Sequence, residues 1–221
     1  MKLHLDRDAF DVFIENIHER CSYRSDVLEK DYYVVLILEE LAKFQKENGL
    51  PAYFKGGTAL YKALKMTNRF SEDIDLSVDT RGMSRSQNDK KLSDATKKYT
   101  VLSREEGITH RSEVITTYIY EPVTNYDTDD SLQRFGRVKI GATSFTIGEP
   151  VTSMEIAPLI YKLATDEEKR ILESQYDIKP FEIKTITMER IFVDKLFAAE
   201  AYVRKSENEH RAFEGAIPHF V

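Results

Sequence analysis

The sequence has a single cysteine, Cys21, in 221 residues, so no disulfide can form within the chain. It has no apolar run long enough to span a bilayer, and the opening residues, MKLHLDRDAF, lack the apolar core of a signal peptide. From these absences we expect a soluble, cytoplasmic protein with no membrane attachment. Histidines are few, and His4, His18, His110, His210 and His219 show no ligand spacing, which argues against a structural zinc site. An excess of positive charge is missing as well: a net charge of −6, with 32% charged residues, excludes a uniformly basic nucleic-acid binder and leaves room only for a local basic patch.

What is present centres on residues 53–78, YFKGGTALYKALKMTNRFSEDIDLSV, which read as strand, glycine turn, short helix and second strand. In an extended backbone Asp73 and Asp75 point to one face while Ile74 and Leu76 point to the other. Two carboxylates so placed repel unless a cation sits between them, and a hard ion such as Mg²⁺ takes one or two carboxylates together with substrate phosphates. Upstream, Gly56 and Gly57 precede Thr58, whose hydroxyl is expected to cap the helix ALYKALK, and a glycine turn at a helix start suits a phosphate. Taken singly, a GG turn is usually only a turn, and a D-x-D pair is usually a solvated strand end. In the order GGT, helix, R-x-S-x-D-x-D they form a specific set.

That set, in FKGGTALYK and RFSEDIDLSV, together with LEKDYYV before it and ERIFVDKLFA after it, resembles the nucleotidyltransferase fold of the DNA polymerase beta superfamily. Within it, the sequence is similar to the AbiEii/AbiGii type of abortive-infection toxin. The resemblance implies an α+β (α/β) fold: a mixed central sheet flanked by helices, with a helical C-terminal extension. We expect residues 1–50 to be a helical segment packing on the core, 51–157 to be the nucleotidyltransferase core, and 158–221 to be a helical C-terminal part. The implied activity is Mg²⁺-dependent transfer of a nucleoside monophosphate from an NTP to an RNA (tRNA-like) or protein acceptor, with a cognate antitoxin protein as partner. On this reading Asp73 and Asp75 hold Mg²⁺, and Gly56, Gly57 and Thr58 cradle phosphates. Lys62 and Lys195 are phosphate partners, and Arg69 and Ser71 orient the aspartate strand or the substrate, or else pin the loop.

Elsewhere the periodicity predicts a packing helix over 6–21 with Asp6 as N-cap and a second helix capped by Ser25. The stripe of that second helix is interrupted by Glu29, Lys30 and Asp31, read either as an exposed charged turn or as the resemblance's amino-terminal motif. Residues 81–112 are rich in Lys and Arg and read as mostly solvated, with a helix starting at Ser84 or Ser86. Residues 114–121, 136–147, VTSMEIA and FEIKTIT read as strands, NYDTDDS as a solvated loop, and PLIYKLATDEEKRILESQY as one helix. The last helix begins near Thr187, and Lys195 lies close to its apolar stripe. A lysine there either snorkels to solvent or, as the resemblance implies, meets phosphate.

The sequence departs from the resemblance in two places. Nucleotidyl transfer normally uses a third carboxylate on a neighbouring strand, yet GRVKIGATS offers Lys139 and Gly141 there, with Glu149 and Glu155 as substitutes. The resemblance also implies a basic segment with a His and then an Asp after the last helix, whereas no acid follows His219. The rival reading is therefore a non-catalytic relative that binds nucleotide, RNA or a partner protein.

Overall fold

The computed structural model describes residues 1–64, 70–105, 107–110, 112–124, 135–145 and 148–208. Arg69, NYDTDDS and the segment with His219 lie outside these residues. Period-two alternation along the strands sorts the sheet into an apolar face and a polar face. The strands are β1 (Ala52–Lys55), β2 (Ile74–Val78), β3 (Ser103–Arg104), β4 (Ile108–His110), β5 (Glu113–Ile119), β6 (Arg137–Thr143), β7 (Val151–Ile156) and β8 (Phe181–Ile186). They form one mixed sheet in the order β3-β5-β6-β2-β1-β8-β7, with β4 paired to β5. The segment 158–221 thus contributes a strand, β8, between β1 and β7, as well as helices.

Register carries each alternation across the strands. Phe54 lies opposite Leu76, Leu76 opposite Ala142 and Ala142 opposite Val114, and all four are buried. Helices α2 (Ser25–Glu47) and α4 (Arg85–Lys97) cover this side. Phe44 of α2 meets Tyr99 just beyond α4, and the Tyr118 hydroxyl donates to the carbonyl of Thr96. The first helix, α1 (Arg7–His18), packs Phe10 against Tyr32 and Tyr33 of α2. Among the described residues no helix is long and apolar enough to cross a membrane.

Several expectations change here. Asp6 caps α1 as expected, through the N–H of Ala9, but Ser25 is already inside α2, whose N-cap position, Arg24, makes no side-chain cap bond. Residues 81–112 are not solvated throughout: Leu92, Ala95 and Thr96 of α4 are buried, and β3 and β4 pair with β5. Ser84 is the helix start, closing a capping box with Gln87. The segment from Pro158 to Tyr176 is two helices, α5 (Leu159–Lys162) and α6 (Asp166–Tyr176), because Thr165 and Glu168 form a capping box that begins a new helix.

Glu29, Lys30 and Asp31 are not an exposed turn: they are 1%, 2% and 0% exposed in the second turn of α2. Buried charges need partners, and each residue has its own. Glu29 accepts from the N–H groups of Val123 and Thr124. Lys30 donates to the carbonyl of Arg137, at the start of β6, and sits 4.0 Å from Glu72, next to Asp73. Asp31 accepts from the N–H of Leu159 and pairs with Lys62, the last residue of α3 (Gly56–Lys62). Burial pulls the Lys62 ammonium down and the Asp31 charge opposes it. Breaking such a pair from one side costs about 3–5 kcal/mol because an uncompensated charge stays buried. Asp31→Ala should therefore lose about that much stability in urea unfolding, and adding Lys62→Met should return part of it. An Asp31→Ala protein as stable as the parent would show that the pair does not hold α3.

Candidate functional site

The uncovered face of the sheet carries a row of residues set by register. Lys55 lies opposite Asp75 across the antiparallel β1–β2 pair, Asp75 lies opposite Gly141 across the parallel β2–β6 pair, and Gly141 lies opposite Ile115. Asp73, just before β2, is exposed; Asp75 is half-buried. Lys139 and Thr143 flank Gly141 on the same face of β6. The Lys55 ammonium reaches past β2 to donate to Thr143 Oγ1 at 3.0 Å.

The glycine turn meets this row directly. Gly56 has φ +78°, and a Cβ there would fall inside the contact radius of Asp75 Oδ2, so the turn needs glycine for both its backbone and its space. A Cβ on Gly57 would sit 3.0 Å from Ser71 Oγ. Thr58 does not cap α3: the helix begins at Gly56, with Lys55 in the cap position. The Thr58 hydroxyl is buried, donates to the carbonyl of Asp73 and lies 2.9 Å from Ser71 Oγ. Thr58 and Ser71 thus pin the aspartate loop to α3, and Thr58 has no surface left to offer a phosphate. Lys62 is likewise corrected from phosphate partner to structural strut, since its ammonium is fully buried against Asp31.

Burial pushes the Asp75 carboxyl up, and so does the charge of Asp73; Lys55, Lys195 and Lys139 pull it down, Lys55 most. Burial lowers the Lys55 ammonium, against the pull of Asp75 and Asp194, and Lys195 and Arg190 add to the lowering. Helix α7 (Met188–Asn208) thus brings Arg190, Asp194 and Lys195 to the row, with Arg190 and Asp194 ion-paired at 2.8 Å. Sequence reasoning missed Lys55, Arg190 and Asp194. For Lys55 the signal was available: it is two residues from Tyr53 and one from Phe54, so alternation puts it on the aspartate face. Arg190 and Asp194 are an i,i+4 pair, which reads on its own as an ordinary helix-surface bridge.

Residues 36–211 match the family described as nucleotidyl transferase AbiEii toxin, type IV TA system. The chain belongs to that family. No curated protein matches the sequence. Among solved structures, MenT4, a nucleotidyltransferase toxin from Mycobacterium tuberculosis, superposes with a TM-score of 0.56 at 13% identity, over 86% of this chain. That likeness is one of fold, a mixed sheet flanked by helices, and the chain spans 58% of the length of MenT4.

Among the described residues the row lacks the third carboxylate that the resemblance implies. The residue beside Asp75 on β6 is Gly141, and a Cβ there would lie 3.7 Å from Asp75 Oδ1. The substitutes are elsewhere: Glu149 pairs with Arg81 at 2.7 Å, and Glu155 is exposed on β7, opposite Glu182. Among the described residues no three Asp, Glu, His or Cys side chains converge as a metal cluster. The donor set, two carboxylates two residues apart that raise one another's cost of ionisation, fits a hard divalent ion.

Gly56→Ala separates the two demands on that residue. A left-handed backbone costs a non-glycine residue about 1–2 kcal/mol, which Gly49→Ala should also lose, since Gly49 has φ +58° with nothing within 4 Å. Gly56→Ala must in addition displace Asp75. It should destabilise more than Gly49→Ala in urea unfolding and should weaken Mn²⁺ binding, whereas Gly49→Ala leaves the metal untouched. Equal effects of the two on metal binding would remove Gly56 from the site.

Proposed function

We propose that this chain transfers a nucleoside monophosphate from an NTP to a hydroxyl of RNA, tRNA-like in character, as the toxin of a toxin–antitoxin pair. The observation that carries the reading is the pairing of Asp73 and Asp75 on an open sheet face with cationic side chains around them, Lys195 arriving from α7 and Lys139 from β6. Asp73 and Asp75 would hold Mg²⁺, which when bound neutralises charge on the triphosphate oxygens. Lys195 and Arg190 bind phosphate oxygens: the ammonium acts as a point charge and the guanidinium as a planar fork. The Gly56–Gly57 turn lets the triphosphate approach the backbone beside Asp75. An acceptor oxygen attacks the α-phosphorus and forms a new P–O bond. The bond to the bridging oxygen breaks, its electron pair leaves with pyrophosphate, and the hydroxyl proton passes to water.

Gly141 favours one second reading, a relative that binds nucleotide without transferring it. Incubating the purified protein with each labelled NTP, Mg²⁺ and total cellular RNA separates the two. Label in RNA supports transfer, label in protein moves the acceptor to a polypeptide, and NTP binding without label supports the second reading. Asp73→Ala and Asp75→Ala should each abolish labelling with the fold intact, since removing either relieves a repulsion. Lys195→Ala should weaken NTP binding by ~1.5–3 kcal/mol, the range for hydrogen bonds to charged groups, with little change in Tm. An unchanged NTP affinity would return Lys195 to a solvent-facing role.

A further inference from the structure

Lys55 is held on the site face by two independent features, its register and its anchor. It is the cross-strand neighbour of Asp75 on β1, while Gly141 is the neighbour on β6, so Asp75 has an ammonium on one side and no side chain on the other. The lysine does not turn away to solvent. It passes over β2 and anchors on Thr143, two residues along the same face of β6 from Gly141. A fixed positive charge therefore lies on the sheet face between β1 and β6, beside the position from which a third carboxylate would hold a second divalent ion. Asp194 faces Lys55 from α7 and is itself held by Arg190.

We propose that the site works with one divalent ion and that Lys55, anchored by Thr143, is the positioning residue that replaces the second ion, holding the Asp75 carboxylate through its fixed charge. This rests on the nucleotidyltransferase reading. The loss of the acid at Gly141 and the presence of the ammonium are then one adaptation. A third carboxylate would have paired with Lys55 and cancelled the charge, and a second divalent ion would have been repelled by it. The reaction is unchanged in its bonds, and only the source of positive charge beside Asp75 differs.

The test counts ions rather than turnovers. Mn²⁺ is titrated into the wild-type protein with a non-hydrolysable α,β-methylene NTP, and bound ion is followed by electron paramagnetic resonance after subtracting the signal of the Mn²⁺–nucleotide complex alone. One ion per chain is expected; two would overturn the proposal. No ion at all would overturn it together with the nucleotidyltransferase reading. If instead one ion binds but no acceptor is labelled, the Lys55 assignment survives while the activity fails.

Lys55→Met supplies the second readout. Removing a unit charge near the carboxylates should tighten Mn²⁺ binding by about tenfold at the screening of a protein surface. It should also slow transfer by about 10²-fold, the scale of one lost preorganised electrostatic group. Lys55→Arg should recover part of the rate. Opposite movement of metal affinity and rate is the signature, because a lysine that merely supported the fold would weaken both. Lys55→Met combined with Gly141→Asp should bind two ions. A Lys55→Met protein that binds Mn²⁺ more weakly overturns the proposal. Should Lys55→Met fail to fold by circular dichroism, the wild-type ion count stands independently of any variant.

Discussion

Three consecutive charges buried in one helix are the constraint on which the rest depends. Glu29, Lys30 and Asp31 point in three directions around α2, since successive helical residues are 100° apart, and each meets a different segment: residues 123–124, the Glu72 and Arg137 backbone region, and the α3–α5 ends. An apolar residue at any of the three would pack without caring which segment it met. A buried charge accepts only a partner of the right polarity at hydrogen-bonding distance, and leaving it without one costs several kcal/mol. The helix thereby selects one arrangement of three segments: Asp31 fixes α3 below the glycine turn, Lys30 fixes the aspartate loop and the start of β6, and Glu29 fixes residues 123–124. The site face itself contributes little to this, being open. Its geometry is fixed from behind, through the sheet, by charges that no substrate touches.

That division explains why the open face tolerates strain. Gly56 is held in a left-handed conformation against the Asp75 carboxylate, Thr58 is tied to the carbonyl of Asp73, and two aspartates of like charge stand two residues apart. None of these would persist in an isolated hairpin of β1, α3 and β2. They persist because Lys62 at the far end of α3 and Lys30 behind the aspartate loop are both anchored in α2, and because Leu76 and Phe54 fill the apolar side of the same strands.

The parts of the molecule readable from sequence are those whose information is local. Asp6 capping α1, the alternation in β5 and β6, and the D-x-D pair all follow from residues within a few positions of one another, whereas the mixed sheet flanked by helices is what the resemblance carried by GGT and D-x-D implies. What was lost is non-local. Lys62 reads as a phosphate partner until Asp31, thirty-one positions earlier, is seen beside it. Thr58 reads as a cap because a hydroxyl before an apolar helix usually is one, and only the fold brings the carbonyl of Asp73 to it. The charged run 29–31 offered two readings of equal local merit, and tertiary burial decided between them. The capping box at Thr165 was local and still overlooked, because the proline start and the apolar spacing from Leu159 onward carry the helical pattern across it.

Charge around the row follows from the same economy of side chains. Four cations, Lys55, Lys139, Arg190 and Lys195, act on or beside Asp75 against the carboxylates of Asp73, Asp75 and Asp194, although the chain as a whole has a net charge of −6. Among the described residues this leaves a local excess of one cation in an acidic protein, which favours a strongly anionic ligand at this face. An NTP carrying a single divalent ion keeps a net negative charge and so is drawn to such a face. With two ions bound it would approach neutrality, and the same cations would gain little from it. A glycine at position 141 keeps the carboxylate count low enough for that balance to hold, so the missing acid and the retained lysines are consistent parts of one electrostatic design.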